Sequence, residues 1–297
     1  MKYTVKQLQK DFPTNDACLE YLFKRQYGKN PDCPKCGKRG FYKIKNRRCY
    51  SCSWCAYHIS PTGGTIFHKS ATPLKDWFYA IYLMSTAKNG VSANELQRHL
   101  GCTYKTAWRM AHQIRSLMKQ GEVKLSGVLE ADETYIGGYK KGDKAGHQKM
   151  SVIGVVERGG GVRTKYVDKV HTSSILEHIG KNVESGSTLY SDEYPVYKKV
   201  KRMGLFHDSV VHSKKEYGRG VIHTNTIEGF WSQMKRSING TYHSVSSKHL
   251  QSYVDEFAWR YSERFSELPI FLKLLSSACG QRGSEGERMF SYRVPVA

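Results

Sequence analysis

Five of the eight cysteines lie between Cys33 and Cys55. Cys33-Pro-Lys-Cys36 and Cys52-Ser-Trp-Cys55 form two C-x-x-C knuckles separated by 15 residues, a spacing that brings four thiolates around one tetrahedral Zn²⁺. So short a segment has no core of its own, and metal ligation would supply its folding energy; Gly40 to Arg48 alternate as a small hairpin between the knuckles. The pattern reads as a zinc ribbon. Disulfide pairing is the alternative, but Met1 to Lys10 is charged and aromatic and has no signal-peptide core to lead the chain to an oxidising compartment. Cys49, three before Cys52, leaves a second choice of knuckle open. Cys52 with Cys55 is preferred because Ile59 then follows the last ligand by four positions as an apolar lid.

The charge balance points to the partner. Among 297 residues, 47 Lys+Arg stand against 26 Asp+Glu, a formal net charge of +21. A surplus of this size attracts polyanions, of which nucleic acid is the commonest in a cytosol, and the alternatives are a ribosomal protein or a merely solvated basic surface. The surplus is uneven: residues 1–125 carry 22 basic and 7 acidic side chains, residues 126–297 carry 25 and 19, so the first part is the anchoring half. Length predicts about two domains. Apolar runs such as Trp77 to Met84 are far shorter than the roughly 20 residues of a membrane span, which predicts a soluble, cytoplasmic, nucleoid-associated protein.

Past the ribbon, Pro73 to Lys119 reads as helices. Leu74, Trp77, Phe78, Ile81 and Tyr82 recur at three- and four-residue steps. Ser92 with Glu95 forms a capping box for a helix that stops at Gly101, and Thr103 caps a second one from Tyr104 to about Met118. Two helices on so short a turn fit a helix-turn-helix presenting Tyr104, Lys105, Arg109 and Gln113 to a DNA groove; an ordinary helical hairpin is the alternative.

From Leu125 the pattern turns to strands, with Ser151 to Val156 and Arg163 to Val167 as a hairpin around Gly159-Gly160-Gly161. Asp132 and Asp192 each end a short apolar strand, and Glu228 lies on the helix Thr224 to Ile238, whose Ile227, Phe230, Trp231 and Met234 share a face. Three carboxylates from separate elements suit a pair of Mg²⁺ ions, since hard cations take oxygen ligands. Glu130, Glu133 and Glu193 are neighbours that serve equally well on chemistry alone. Lys235, two turns after Glu228, would hold a DNA phosphate beside the metals, and Asn225 reads first as a helix cap and otherwise as a ligand or substrate contact. Of His147, His207, His212, His223 and His243, His223 is the strongest candidate general base.

At these residues the chain resembles the zinc-ribbon-bearing DDE transposases of bacterial insertion sequences. The resemblance is carried by the cysteine knuckles, Thr62-Gly63-Gly64-Thr65-Ile66-Phe67, Pro73-Leu74-Lys75-Asp76-Trp77-Phe78, Tyr104 to Met110, Ala131-Asp132-Glu133-Thr134-Tyr135-Ile136-Gly137-Gly138, Ser191-Asp192-Glu193, His223 to Ser232, Lys235-Arg236 and Gly240-Thr241-Tyr242-His243. It spans nearly the whole chain. One departure is the second glycine at Gly63-Gly64, where relatives often have Thr-Gly-Thr.

The resemblance implies an α/β, RNase H-like mixed-sheet catalytic domain preceded by a zinc ribbon and a helix-turn-helix region. The boundaries expected are 1–30 for an N-terminal helical segment, 31–68 for the ribbon, 69–124 for the helix-turn-helix, 125–275 for the catalytic domain and 276–297 for a basic tail. Asp132 and Asp192 are the implied first two catalytic ligands. The third position is Glu or Asn among relatives, which selects Glu228 with Asn225 as its rival. Lys235 and Arg236 are the basic residues that follow. Cofactors implied are structural Zn²⁺ and two Mg²⁺ or Mn²⁺ ions; partners are double-stranded DNA, as terminal inverted repeats and target, and further copies of the chain. Cleavage of the element ends and attack by the freed 3′-hydroxyls is the implied reaction. A non-catalytic DNA-binding regulator and an RNase H-like nuclease or resolvase are the competing functions.

Overall fold

The computed structural model describes residues 3–137, 149–214, 216 and 218–280. They form two compact units, one from residues up to Ala87, Ala93–Leu117 and the chain from Glu267 on, the other from Lys88–Ser92 and Met118–Ser266.

The first unit begins with α1 (Val5–Asp11), capped by a reciprocal Thr4–Gln7 box, and α2 (Asn15–Tyr27), capped by the Thr14 hydroxyl. A three-stranded antiparallel ribbon follows, β1 (Phe41–Lys43), β2 (Tyr50–Cys52) and β3 (His58–Ile59). The ribbon is not free-standing. Tyr50 of β2 stacks on Phe23 of α2 at 4.1 Å, so the little apolar surface it has is buried on the N-terminal helices. Next come α3 (Leu74–Thr86), α4 (Ala93–Leu100) and α5 (Tyr104–Arg115). Trp77 of α3 is fully buried and donates its indole N–H to Ser70 Oγ at 3.0 Å. Between α4 and α5, Gly101 adopts φ +61°, a left-handed stop that a side chain would strain, and Thr103 caps α5. The second helix ends at Arg115, three residues short of the expected Met118.

In the second unit, β4 (Val128–Ile136), β5 (Met150–Glu157), β6 (Val162–Val167), β7 (Thr188–Ser191) and β8 (Phe206–Ser209) form one sheet of order β6-β5-β4-β7-β8. β4, β5 and β6 are antiparallel neighbours, while β7 and β8 run parallel to β4. This is an RNase H-like mixed sheet. One face packs on α6 (Thr172–Asn182) and the 3-10 helix Pro195–Met203 through Leu129, Ile153, Val155, Ile175 and Tyr197. The other packs on α7 (Asn225–Ser237) and α8 (Ser247–Ser262) through Val152, Val156, Trp231, Leu250 and Phe257. Covered on both sides, β5 is apolar without alternation.

One element groups differently from the expected boundaries. α9 (Ile270–Ala278), placed in the catalytic domain by the boundary at 275, belongs to the first unit, where Phe271 meets Tyr82 of α3 at 5.9 Å and Phe12 at 6.4 Å. Its apolar face has no partner within its own sequence neighbourhood, so only the tertiary fold could assign it. Of the expected tail, residues 281–297 lie outside the described residues. Among the described residues, no helix is long and apolar enough to cross a membrane.

Candidate active site

The four cysteines Cys33, Cys36, Cys52 and Cys55 converge with all four sulfurs within 4.8 Å of one another. Cys33 and Cys55 sulfurs are 3.6 Å apart and Cys36 and Cys52 sulfurs 3.7 Å. Tetrahedral ligation at a Zn–S length of about 2.3 Å requires S···S separations of about 3.8 Å, so the donor set fits zinc. Cys49 stays outside the cluster, and Ile59 is buried, as the preferred pairing requires.

The acids are assembled by strand register. β4 and β7 run parallel with Thr188 beside Val128 and Tyr190 beside Glu130, an offset of 60 positions. Carried two residues further, that offset points Asp192, one residue past β7, toward Asp132; its charge helps to raise the Asp132 carboxyl, and it stands outside the cleft that Asp132 lines. The sequence separation of the two aspartates is thus the register of the strand pair. Asp132 does not end its strand, as expected from the apolar run before it. It sits mid-way along β4, opposite Gly154 of β5, at the point where the β7 partner stops.

Glu228 comes from the first turn of α7 and lines, with Asp132, Trp231, Lys235 and Arg236, an open cleft of about 780 Å³. The seven-residue step from Glu228 to Lys235 places both on that wall. Trp231 donates its indole N–H to Asp132 Oδ2 at 3.0 Å, and Thr224 Oγ1 donates to Glu228 Oε1 at 2.7 Å. Burial, then the charges of Glu133, Asp192 and Glu228, push the Asp132 carboxyl up to about 7. Glu133 and Asp192 are raised as well, chiefly by burial, although Glu133 accepts a hydrogen bond from Tyr197 at 2.8 Å. Acids that raise one another in this way gain from a bound cation, which would relieve their mutual repulsion.

A family model described as the ISXO2-like transposase domain matches residues 124–262, and one described as a transposase zinc-ribbon domain matches residues 13–58. The chain is also 26% identical over 252 residues to the uncharacterized protein in transposable element ISH50 of Halobacterium salinarum, covering 77% of this chain and 84% of that one. The chain belongs to the zinc-ribbon DDE transposases of insertion sequences. Among solved structures, the Mos1 transposase paired-end complex with left transposon end aligns at 10% identity over 68% of this chain and 78% of that one, TM-score 0.29. A simian T-cell lymphotropic virus intasome aligns at 13% identity over 61% and 64%, TM-score 0.31.

In this transposase-family chain the helix-turn-helix residues divide. Tyr104, Lys105 and Arg109 are exposed on α5, and Arg109 also donates to Ser70 Oγ at 3.2 Å. Gln113 does not face fully outward; it is half-buried with its Oε1 enclosed, beside the buried Ile114 and Arg115. The exposed aromatic that the sequence did not single out is Trp108, one turn after Tyr104, its ring 4.0 Å from that of His112 and tilted by 45°. Its i, i+4 spacing from Tyr104 was the available signal.

Other expected residues land elsewhere. Asn225 is not a cap: Thr224 holds the N-cap position, and Asn225, exposed in the first turn, is absent from the cleft wall. His223 is drawn to Glu130 and Arg158, away from the cleft. His207 pairs with Ser191 Oγ, and His243 is exposed. His212 stands nearest the acids, its Nε2 3.9 Å from Glu228 Oε1. His147 and Gly138 lie outside the described residues.

Proposed function

We propose that this chain binds the terminal inverted repeats of an insertion sequence through the ribbon and helix-turn-helix, cleaves the element ends, and joins the 3′-hydroxyls to target DNA. The observation that most supports the reading is that Asp132 shares a cleft with Glu228, Lys235 and Arg236, while the β4–β7 register carries Asp192 toward Asp132. Asp132, Asp192 and Glu228 would hold two Mg²⁺ or Mn²⁺ ions, with Glu228 rather than Asn225 as the third ligand. When bound, these ions neutralise the attacking and leaving oxygens of an in-line phosphodiester exchange.

The chain's own residues do the positioning. The Trp231 indole fixes Asp132 Oδ2, and the Thr224 hydroxyl fixes Glu228 Oε1, so each carboxylate has one oriented oxygen before any ligand arrives. Lys235 and Arg236 supply cations where a scissile phosphate must lie. Tyr104, Lys105, Trp108 and Arg109 provide the exposed, basic and aromatic surface for a duplex. Pairing of two element ends calls for at least two copies of the chain.

The test is cleavage and joining of element-end oligonucleotides in Mg²⁺ or Mn²⁺. Asp132→Asn is expected to abolish both and leave binding intact. Full activity in that variant would overturn the assignment, and cleavage without joining would favour a nuclease.

A further inference from the structure

Glu130 lies on β4 two residues before Asp132 and is fully buried, an environment that a carboxylate tolerates only with complete pairing. Its Oε2 accepts from the backbone N–H groups of Thr226 at 2.7 Å and Ile227 at 3.0 Å, in the first turn of α7. Its Oε1 accepts from Thr226 Oγ1 at 2.8 Å and from Arg158 Nε at 2.6 Å, with His223 Nδ1 at 3.2 Å.

Arg158 extends the clamp. It donates to the backbone carbonyls of Val221 at 2.8 Å and His223 at 3.0 Å, on the segment entering α7, and its guanidinium lies 5.0 Å over the Tyr190 ring of β7. The residue at the N-cap of α7, Thr224, makes no side-chain cap bond; its hydroxyl is turned to Glu228 instead. A strand residue therefore performs the capping that the helix's own threonine has given up. The N-terminal N–H groups of a helix favour a negative charge, and here that charge comes from the strand that carries the first catalytic acid. The spacing is matched: Glu130 precedes Asp132 by two positions, and the Thr226 it grips precedes Glu228 by two.

We infer that Glu130, with Arg158 as counter-ion, is a positioning residue that locks α7 to β4 and so sets the Asp132–Glu228 geometry on which divalent-cation affinity depends. The inference rests on the proposed function in taking those two acids as metal ligands. Glu130→Gln keeps the volume but turns an amide N–H₂ toward donors that need an acceptor, so the clamp loosens without a cavity.

The experiment uses the full, zinc-loaded chain with Mn²⁺ alone as probe. Its affinity is read by electron paramagnetic resonance, and hydrogen exchange is followed at the first turn of α7. Glu130→Gln is expected to stay folded, to bind Mn²⁺ about 10–100-fold more weakly, as loss of a partner that orients a ligand does, and to exchange the Thr226 and Ile227 amides faster. Strand joining should recover as Mn²⁺ is raised. Unchanged Mn²⁺ affinity in the folded variant overturns the inference, even if thermal stability falls, because a merely structural ion pair predicts that outcome. If Glu130→Gln does not fold, Thr226→Val removes one donor from the clamp and must still weaken Mn²⁺ binding, or the inference fails. Asp132→Asn separates the two levels. If it leaves wild-type Mn²⁺ binding untouched, the proposed metal site is wrong; if it abolishes binding while Glu130→Gln does not weaken it, the clamp alone is wrong.

Discussion

Asp132→Asn should make the metal-free protein more stable at pH 8 while destroying its chemistry. The carboxyl is held at about 7 in the folded chain against an ordinary 3.8, mainly by burial and then by Glu133, Asp192 and Glu228. The native state therefore keeps a proton that the unfolded chain releases near 3.8. Stability from this group is fully present below that value and is lost as pH climbs toward about 7. At about 1.36 kcal/mol per pH unit, the separation sets a ceiling of about 4 kcal/mol on the destabilisation at pH 8. Glu133 and Asp192 share the titration, so less than the ceiling is realised. About 2 kcal/mol in a domain of this size raises Tm by roughly 4–8 °C. The asparagine oxygen can still accept from the Trp231 indole, so packing is kept. Scanning calorimetry without catalytic divalent cations, with zinc left in the ribbon, should show the variant melting above the wild type at pH 8, the gap narrowing toward pH 5. Added Mg²⁺ should raise the wild type alone. Equal Tm values at pH 8, or a gap that does not change with pH, would refute the picture of a desolvated carboxylate crowded by like charges.

Other expectations follow from single contacts. Gly154 faces Asp132 across β5, and a methyl group there would come within 2.6 Å of the Trp231 ring; Gly154→Ala should cost about 1–3 kcal/mol in urea unfolding and reduce joining, and a neutral effect would show that Trp231 moves freely. Metal analysis should find one zinc per chain in the wild type and in Cys49→Ser and none in Cys33→Ser, since only the four clustered sulfurs fit the ion. Trp108→Ala should weaken binding to element-end DNA by at least about fivefold, read by anisotropy, if the exposed aromatic is part of the duplex surface. Glu256 is fully buried against Arg260 at 2.6 Å and accepts from the Tyr242 hydroxyl, so Glu256→Ala should cost about 3–5 kcal/mol by thermal unfolding; a loss below about 1 kcal/mol would mean the pair is solvated.

The sequence alone located the elements whose geometry is set by local spacing. The cysteine knuckles, the helix stop at Gly101, the cap at Thr103 and the apolar face of α7 are written within a few turns of chain, where spacing dictates geometry. The spacing of Asp132 and Asp192 was legible as a number, but its meaning was not: only the parallel pairing of β4 with β7 turns 60 positions into adjacency. The same limit hid the roles of three neighbouring acids. Glu130, Glu133 and Asp132 are nearly indistinguishable in sequence, yet the strand sends Glu130 beneath α7, while Asp132 and Glu133 both line the cleft and Glu133 is tied to Tyr197. Gln113 looked outward by helical periodicity but is half-buried in the fold, and α9 joined the first unit because its apolar face finds Tyr82 and Phe12 far away in sequence. Ligand spacing and capping are short-range and cost little chain entropy, so sequence determines them. Which acid reaches the cleft is settled by strand register and by a buried ion pair between residues 28 positions apart, and these exist only once the sheet has formed.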